Sequence, residues 1–240
     1  MTNENRAKTK EVYVWDFPTR LFHWLLALMI VLLVVTGKMG GNALEWHERC
    51  GYITLGLLLF RVLWGFIGNK NARFANFLRG PSAVLRYLKG LTEGRSQVHV
   101  GHNPAGGWSV MAMLLVVAAQ VGTGLFANDD VMLEGPLAYF VSKDASDQLT
   151  GIHEIISNLL LAIIGLHIVA IAFYYFVKKD NLVMPMISGR RRISKAKVDD
   201  RQKDLPDCGP HSQIPDLFGN TVFVLTLSSG LALLLLEQLG

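Results

Sequence analysis

Four histidines, His23, His47, His153 and His167, stand on or at the ends of long apolar runs. An imidazole is costly inside a bilayer, so one that is kept there marks a functional place. Two of the four lie in GIHEIISNLLLAIIGLHIV, fourteen residues apart on one apolar segment. Fourteen residues make nearly four helical turns, so both rings point to about the same face, ~21 Å apart along the axis. Such spacing suits two stacked cofactors crossing a membrane and suits an ordinary core less well.

The elements that must position these rings are membrane spans. The chain has 240 residues, of which 51% are apolar and 18% charged, which is the composition of an integral membrane protein. A hydrocarbon core ~30 Å thick takes roughly 20 mainly apolar residues per helix. Five runs qualify: 21–37, 51–68, 108–127, 152–177 and 217–236. The first two are short, and Trp24, Trp46 and Trp64 beside them serve as interfacial anchors. The first run starts some twenty residues in and lacks a small-residue cleavage site, so it reads as a span rather than a secretory signal.

The net charge of +4 comes from where the cations sit and does not point to nucleic acid. Arg6, Lys8, Lys10 and Arg20 crowd the amino-terminal tail, six Lys and Arg lie in 69–107, and nine lie in 178–215. The stretch 128–150 has only Lys143 against Asp129, Asp130, Glu134, Asp144 and Asp147. With five spans counted, the positive-inside rule then expects a cytoplasmic amino terminus and a carboxyl terminus on the outer side of the membrane. Cys50 and Cys208 fall on opposite sides of that membrane, so no disulfide joins them. There is no C-x-x-C-H for covalent haem attachment and no cysteine cluster for iron–sulfur or zinc.

On this topology His47 and His153 share the outer level, and His23 and His167 share the inner half. A six-coordinate haem with two axial imidazoles needs one such pair, so the sequence offers two pairs at two depths. Singly, His23 and His47 are equally read as interfacial and solvated, whereas His167 is mid-span. His99, His102 and His211 stand in polar loops and read as solvated. Gly51, Gly56, Gly122, Gly124 and Gly165 fit either ordinary helix packing or room for a flat macrocycle. Arg61 fits two readings as well, a partner for a haem propionate or a cation snorkelling to headgroups. The segment 82–91, SAVLRYLKGL, opening on a Ser cap at Ser82, fits two readings, a short interfacial helix on the inner membrane face and a simple loop helix.

Four stretches carry a resemblance: VYVWDFPTRLFHWLLALMIVLLVVTG, EWHERCGYITLGLLLFRVLWGFIG, NPAGGWSVMAMLLVVAAQVGTGLF and GIHEIISNLLLAIIGLHIV. Across residues 12–177 the chain resembles the bacterial cytochrome b561 and nickel–iron hydrogenase b-subunit family. The resemblance implies four helices holding two b haems, which exchange electrons between a quinone and a redox partner. Carried over, it implies His23 with His167 on one haem and His47 with His153 on the other. The run 217–236 is outside the family's four-helix core.

The fold class expected is all-α: an integral membrane helical bundle with a four-helix di-haem core plus a fifth transmembrane helix. The expected organisation is a cytoplasmic arm (1–19), the cytochrome domain (20–178), a cytoplasmic linker (179–215) and the added helix (216–240). The expected function is electron transfer with two haem b groups, between a quinone pool and a periplasmic hydrogenase or c-type cytochrome. The cofactor-binding residues are His23, His47, His153, His167 and Arg61, and no catalytic residue is assigned. Two rival readings use the same helices: a free-standing quinone-linked oxidoreductase such as a superoxide oxidase, and a histidine-lined proton or metal transporter.

Overall fold

The computed structural model describes residues 9–94, 99, 101–131, 133–194 and 221. Four helices are long and apolar enough to cross a membrane: α1 (Phe17–Met39), α2 (Ala43–Ile67), α5 (Pro104–Gly124) and α6 (Lys143–Phe176). Between α2 and α5 lie the single turn α3 (Phe74–Phe77) and the helix α4 (Pro81–Thr92). After α6 come α7 (Val183–Ser188) and the strand β2 (Arg190–Ser194), which pairs antiparallel with β1 (Thr9–Tyr13). The protein is therefore an all-α, multi-pass membrane protein with, among the described residues, one small two-stranded ribbon. Cys208, His211, nearly all of the expected fifth span and most of the expected linker lie outside the described residues.

Each span begins where local chemistry allows it. Asp16 caps α1, its Oδ1 accepting the Thr19 N–H at 2.9 Å. Pro18 stands in that first turn, where a missing N–H breaks no helical bond. Gly40 and Gly41 join α1 to α2 at φ of +64° and +54°, a backbone region that glycine enters without strain. Asn103 caps α5 through the Gly106 N–H at 2.7 Å, with Pro104 at the first helical position. Ser142 takes the Ala145 N–H at 3.3 Å ahead of α6.

The expected span edges mark the apolar part of each helix, not its ends. α6 opens at Lys143, so the stretch expected as a loop over 128–150 contains the first two polar turns of that helix. A helix continues past the hydrocarbon wherever its backbone bonds are satisfied, and hydropathy does not register this. α4 opens one residue earlier than expected, with Gly80 as the cap and Pro81 at the first position, in place of a cap at Ser82.

The chain divides into two compact units. Among the described residues, one holds the segments up to Arg20, Trp64–Met111 and the chain from Val169 onward. Its ribbon is fastened at Gly189, whose carbonyl accepts the Val14 and Trp15 N–H groups at 2.8 and 3.3 Å. Gly189 sits at φ +79°, and an added Cβ would meet the Trp15 carbonyl oxygen at 2.8 Å. Arg190–Ser194, expected as part of a mobile linker, is thus a paired strand, because the partner that orders it lies almost the whole chain away. Trp64, expected as an interfacial anchor, is fully buried here, and its Nε1 donates to Asp16 Oδ2 at 3.2 Å. His102, expected to be solvated, packs between Trp15 and Phe77 at 4.6 Å from each ring. The other unit holds Leu21–Leu63 and Ala112–Ile168, and with them all four candidate histidines.

Candidate haem-binding site

The outer pair is the better defined. His47 stands one turn into α2 and His153 three turns into α6, and their ring centroids are 6.1 Å apart with planes at 76°. Each ring is held the same way by a neighbouring helix. His47 Nδ1 lies 2.9 Å from the Leu33 carbonyl oxygen on α1. His153 Nδ1 lies 2.9 Å from the Gln120 carbonyl oxygen on α5. A carbonyl oxygen only accepts, so in both rings Nδ1 carries the proton and donates. Nε2 is then the lone-pair nitrogen of each ring.

The two seats repeat in detail. Three residues after each accepting carbonyl comes a threonine, and next to it a glycine: Thr36-Gly37 on α1 and Thr123-Gly124 on α5. Thr36 Oγ1 donates to the Leu32 carbonyl at 2.7 Å and reaches the Leu33 carbonyl at 3.3 Å. Thr123 Oγ1 donates to the Ala119 carbonyl at 2.9 Å and reaches the Gln120 carbonyl at 3.1 Å. The same hydroxyls lie 3.5 Å from His47 Nδ1 and 3.2 Å from His153 Nδ1. A Cβ on Gly37 would meet His47 at 3.1 Å, and one on Gly124 would meet His153 at 2.9 Å. Glycine is what lets each ring lie against its neighbouring helix.

This donor set fits a haem. With metal–imidazole bonds of ~2.0 Å and ring centres ~1.1 Å behind the bonding nitrogens, two rings on one metal stand ~6.2 Å apart. The observed 6.1 Å matches, and an Nδ1–H donated to a main-chain carbonyl is the usual support for a ligating histidine. Gln120 Nε2 donates to the His153 Nε2 lone pair at 2.9 Å, so that side chain must turn aside for the nitrogen to bind a metal. Among the described residues no three His, Cys, Asp or Glu side chains gather as a closed metal site, so imidazole pairs are the donor sets on offer.

The inner pair is looser. His23 on α1 and His167 on α6 lie within electrostatic reach of each other. The His23 ring meets Trp24 edge-on at 5.0 Å, and its Nδ1 is buried with no hydrogen-bond partner among the described residues. Arg61 on α2 is only 3% exposed, so it is enclosed by protein rather than snorkelling to headgroups. Of the glycines singled out above, Gly124 seats His153, while a Cβ on Gly51, Gly122 or Gly165 would meet nothing within 4 Å. Leu33, Thr36, Gly37, Gln120 and Thr123 were not singled out. The repeated Thr-Gly pair was their one visible signal, since a carbonyl acceptor leaves no mark in sequence.

Residues 14–189 match the family model described as prokaryotic cytochrome b561. A probable Ni/Fe-hydrogenase B-type cytochrome subunit from Azotobacter vinelandii is 31% identical over 52% of this chain and 62% of its own. One from Azotobacter chroococcum is 25% identical over 82% of this chain and 95% of its own. A probable Ni/Fe-hydrogenase 1 B-type cytochrome subunit from Escherichia coli is 22% identical over 80% and 95%. No solved structure matches.

Proposed function

This chain belongs to the prokaryotic cytochrome b561 family, and from that premise we propose that it is a di-haem electron-transfer subunit of the bacterial inner membrane. It links a quinone pool to a periplasmic redox partner, with its amino terminus in the cytoplasm. His47 and His153 hold one haem, and His23 and His167 hold the other. The observation that carries this reading is the outer pair, two imidazoles at single-metal spacing whose other nitrogens both donate to main-chain carbonyls.

A b haem supplies a one-electron couple between ferric and ferrous iron. The protein's part is to hold the ligands, exclude water and set the charge nearby. The Leu33 and Gln120 carbonyls fix both outer tautomers with Nε2 as the ligating atom. Arg61, enclosed and cationic, is suited to a propionate. His153 and His167 share one continuous helix, so a single rigid element supports one ligand of each haem. The hydrogenase named in the relatives' descriptions supports a hydrogenase-type partner.

The test is the spectrum and haem content of the purified chain. A Soret band, split reduced visible bands and about two haems per chain by pyridine haemochrome are expected on two bis-histidine sites. One haem per chain, unaffected by His47→Ala, removes the outer site.

A further inference from the structure

We propose that α4 (Pro81–Thr92) is a docking surface for acidic phospholipid headgroups, held flat against the membrane face. Three fasteners set its depth. Just before the helix, the Arg79 carbonyl accepts the Trp108 indole N–H at 2.8 Å, and Trp108 stands in the second turn of α5. In its middle, the Tyr87 hydroxyl bonds the Tyr174 hydroxyl near the end of α6. Near its last turn, the Leu91 carbonyl accepts from Lys178 Nζ at 3.3 Å, two residues past the end of α6. Twelve residues of helix span ~18 Å. A rod of that length, tied at one end to the start of a membrane span and along its far half to the end of another, lies across the bilayer surface.

The order of side chains around the rod fits that position. At 3.6 residues per turn, one travels round the helix from Tyr87, Leu91 and Val84 to Leu88 and Leu85, and then to Lys89 and Arg86. The first three are half-buried. Leu85 and Leu88 are 68% and 44% exposed, and no residue of the helix is fully buried. Arg86 and Lys89 are exposed, as is Arg79 ahead of the helix. No carboxylate among the described residues pairs with any of the three.

An apolar strip bordered by cations is what the boundary between acyl chains and headgroups selects. Burial of Leu85 and Leu88 in acyl chains brings Lys89 and Arg86 to the level of lipid phosphates. Each cation near an acidic surface is worth about fivefold in binding, so the helix discriminates acidic from zwitterionic lipid. The occupant argued for is therefore an acidic phospholipid. The two leucines exclude a purely ionic partner, and the fasteners place the strip at the membrane.

The experiment uses the full chain in nanodiscs, carrying Leu88→Cys labelled with bimane in a Cys50→Ala, Cys208→Ala background. Iodide in the aqueous phase is expected to quench the label weakly. At equal mole fraction, brominated phosphatidylglycerol is expected to quench it more than brominated phosphatidylcholine. Arg86→Gln with Lys89→Gln should equalise the two lipids. Strong iodide quenching would show the strip outside the bilayer, as a face for a soluble protein would be, and would overturn the proposal. Equal quenching by both lipids in the parent chain would also overturn it. The same label at Leu85→Cys repeats the test should the first site perturb the helix.

Discussion

The imidazoles of His47 and His153 stand 6.1 Å apart, and each donates its Nδ1 proton to a main-chain carbonyl three residues before a Thr-Gly pair. Two helices that do not carry the outer pair, α1 and α5, thus make the same seat on either side of one site. The repetition matters because axial ligands tune an iron through the partner of their other nitrogen.

Ligand substitutions should fall into two spectral classes. His47→Ala and His153→Ala are expected to abolish one haem signal, and His23→Ala and His167→Ala the other. If His23→Ala and His47→Ala removed the same signal, the pairing would be wrong.

The seat threonines should move a potential without removing a haem. Thr36 and Thr123 share their hydroxyls with the carbonyls that accept from the histidines, and so weaken those carbonyls as acceptors. Thr36→Val or Thr123→Val should strengthen the Nδ1–H bond, make the ligand more basic and lower the reduction potential of the outer haem alone. Serine at either position should restore it. Spectroelectrochemical titration reads this directly, and an unmoved potential in both valine variants assigns the threonines to packing only.

The glycines should be intolerant even of small side chains. At Gly124 an added Cβ would lie 2.9 Å from His153, against 3.1 Å from His47 at Gly37. Gly124→Ala is expected to disturb the outer haem more than Gly37→Ala, and valine at either position to cost that haem. Haem stoichiometry after purification, with the inner haem as internal reference, is the measurement.

Asp16 should matter for stability. It caps α1 through Thr19 and accepts from the buried Trp64 indole. Asp16→Ala should cost about 1–3 kcal/mol, because it removes both the cap of α1 and the acceptor of the buried Trp64 indole. A lowered Tm of the detergent-solubilised chain, with an unchanged haem spectrum, is the expected result.

The acidic stretch before α6 should contribute little by attraction at a distance. Lys143 pairs with both Asp130 and Asp147, and Asp129 accepts the Val131 and Leu133 N–H groups at 3.0 and 2.8 Å. Glu134 and Asp144 remain exposed. Exposed pairs of this kind contribute little to stability, so Lys143→Met should barely alter it. It should instead unmask two carboxylates and speed electron exchange with a basic partner at low salt, a gain that fades as ionic strength rises. A rate that does not respond to Lys143→Met leaves this stretch with no part in partner encounter.

The sequence by itself determined the membrane class, four of the spans and the histidines worth watching. Those features depend on the cost of placing polar groups in hydrocarbon, which is local to each residue and so readable in order along the chain. It also carried the family, through four stretches that from Val14 onward lie within the matched range. What it did not carry depends on which backbone lies beside which ring. The Leu33 and Gln120 carbonyls are main-chain atoms common to every residue, and only helix packing chooses them as acceptors. Arg61 reads equally as a propionate partner or a snorkelling cation until the protein closes over it. Trp64 reads as an interfacial anchor until Asp16, forty-eight residues away, meets its indole. His102 reads as solvated until Trp15 and Phe77 pack against its ring. Arg190–Ser194 reads as linker because a strand is defined by its partner, and that partner lies at the opposite end of the described chain.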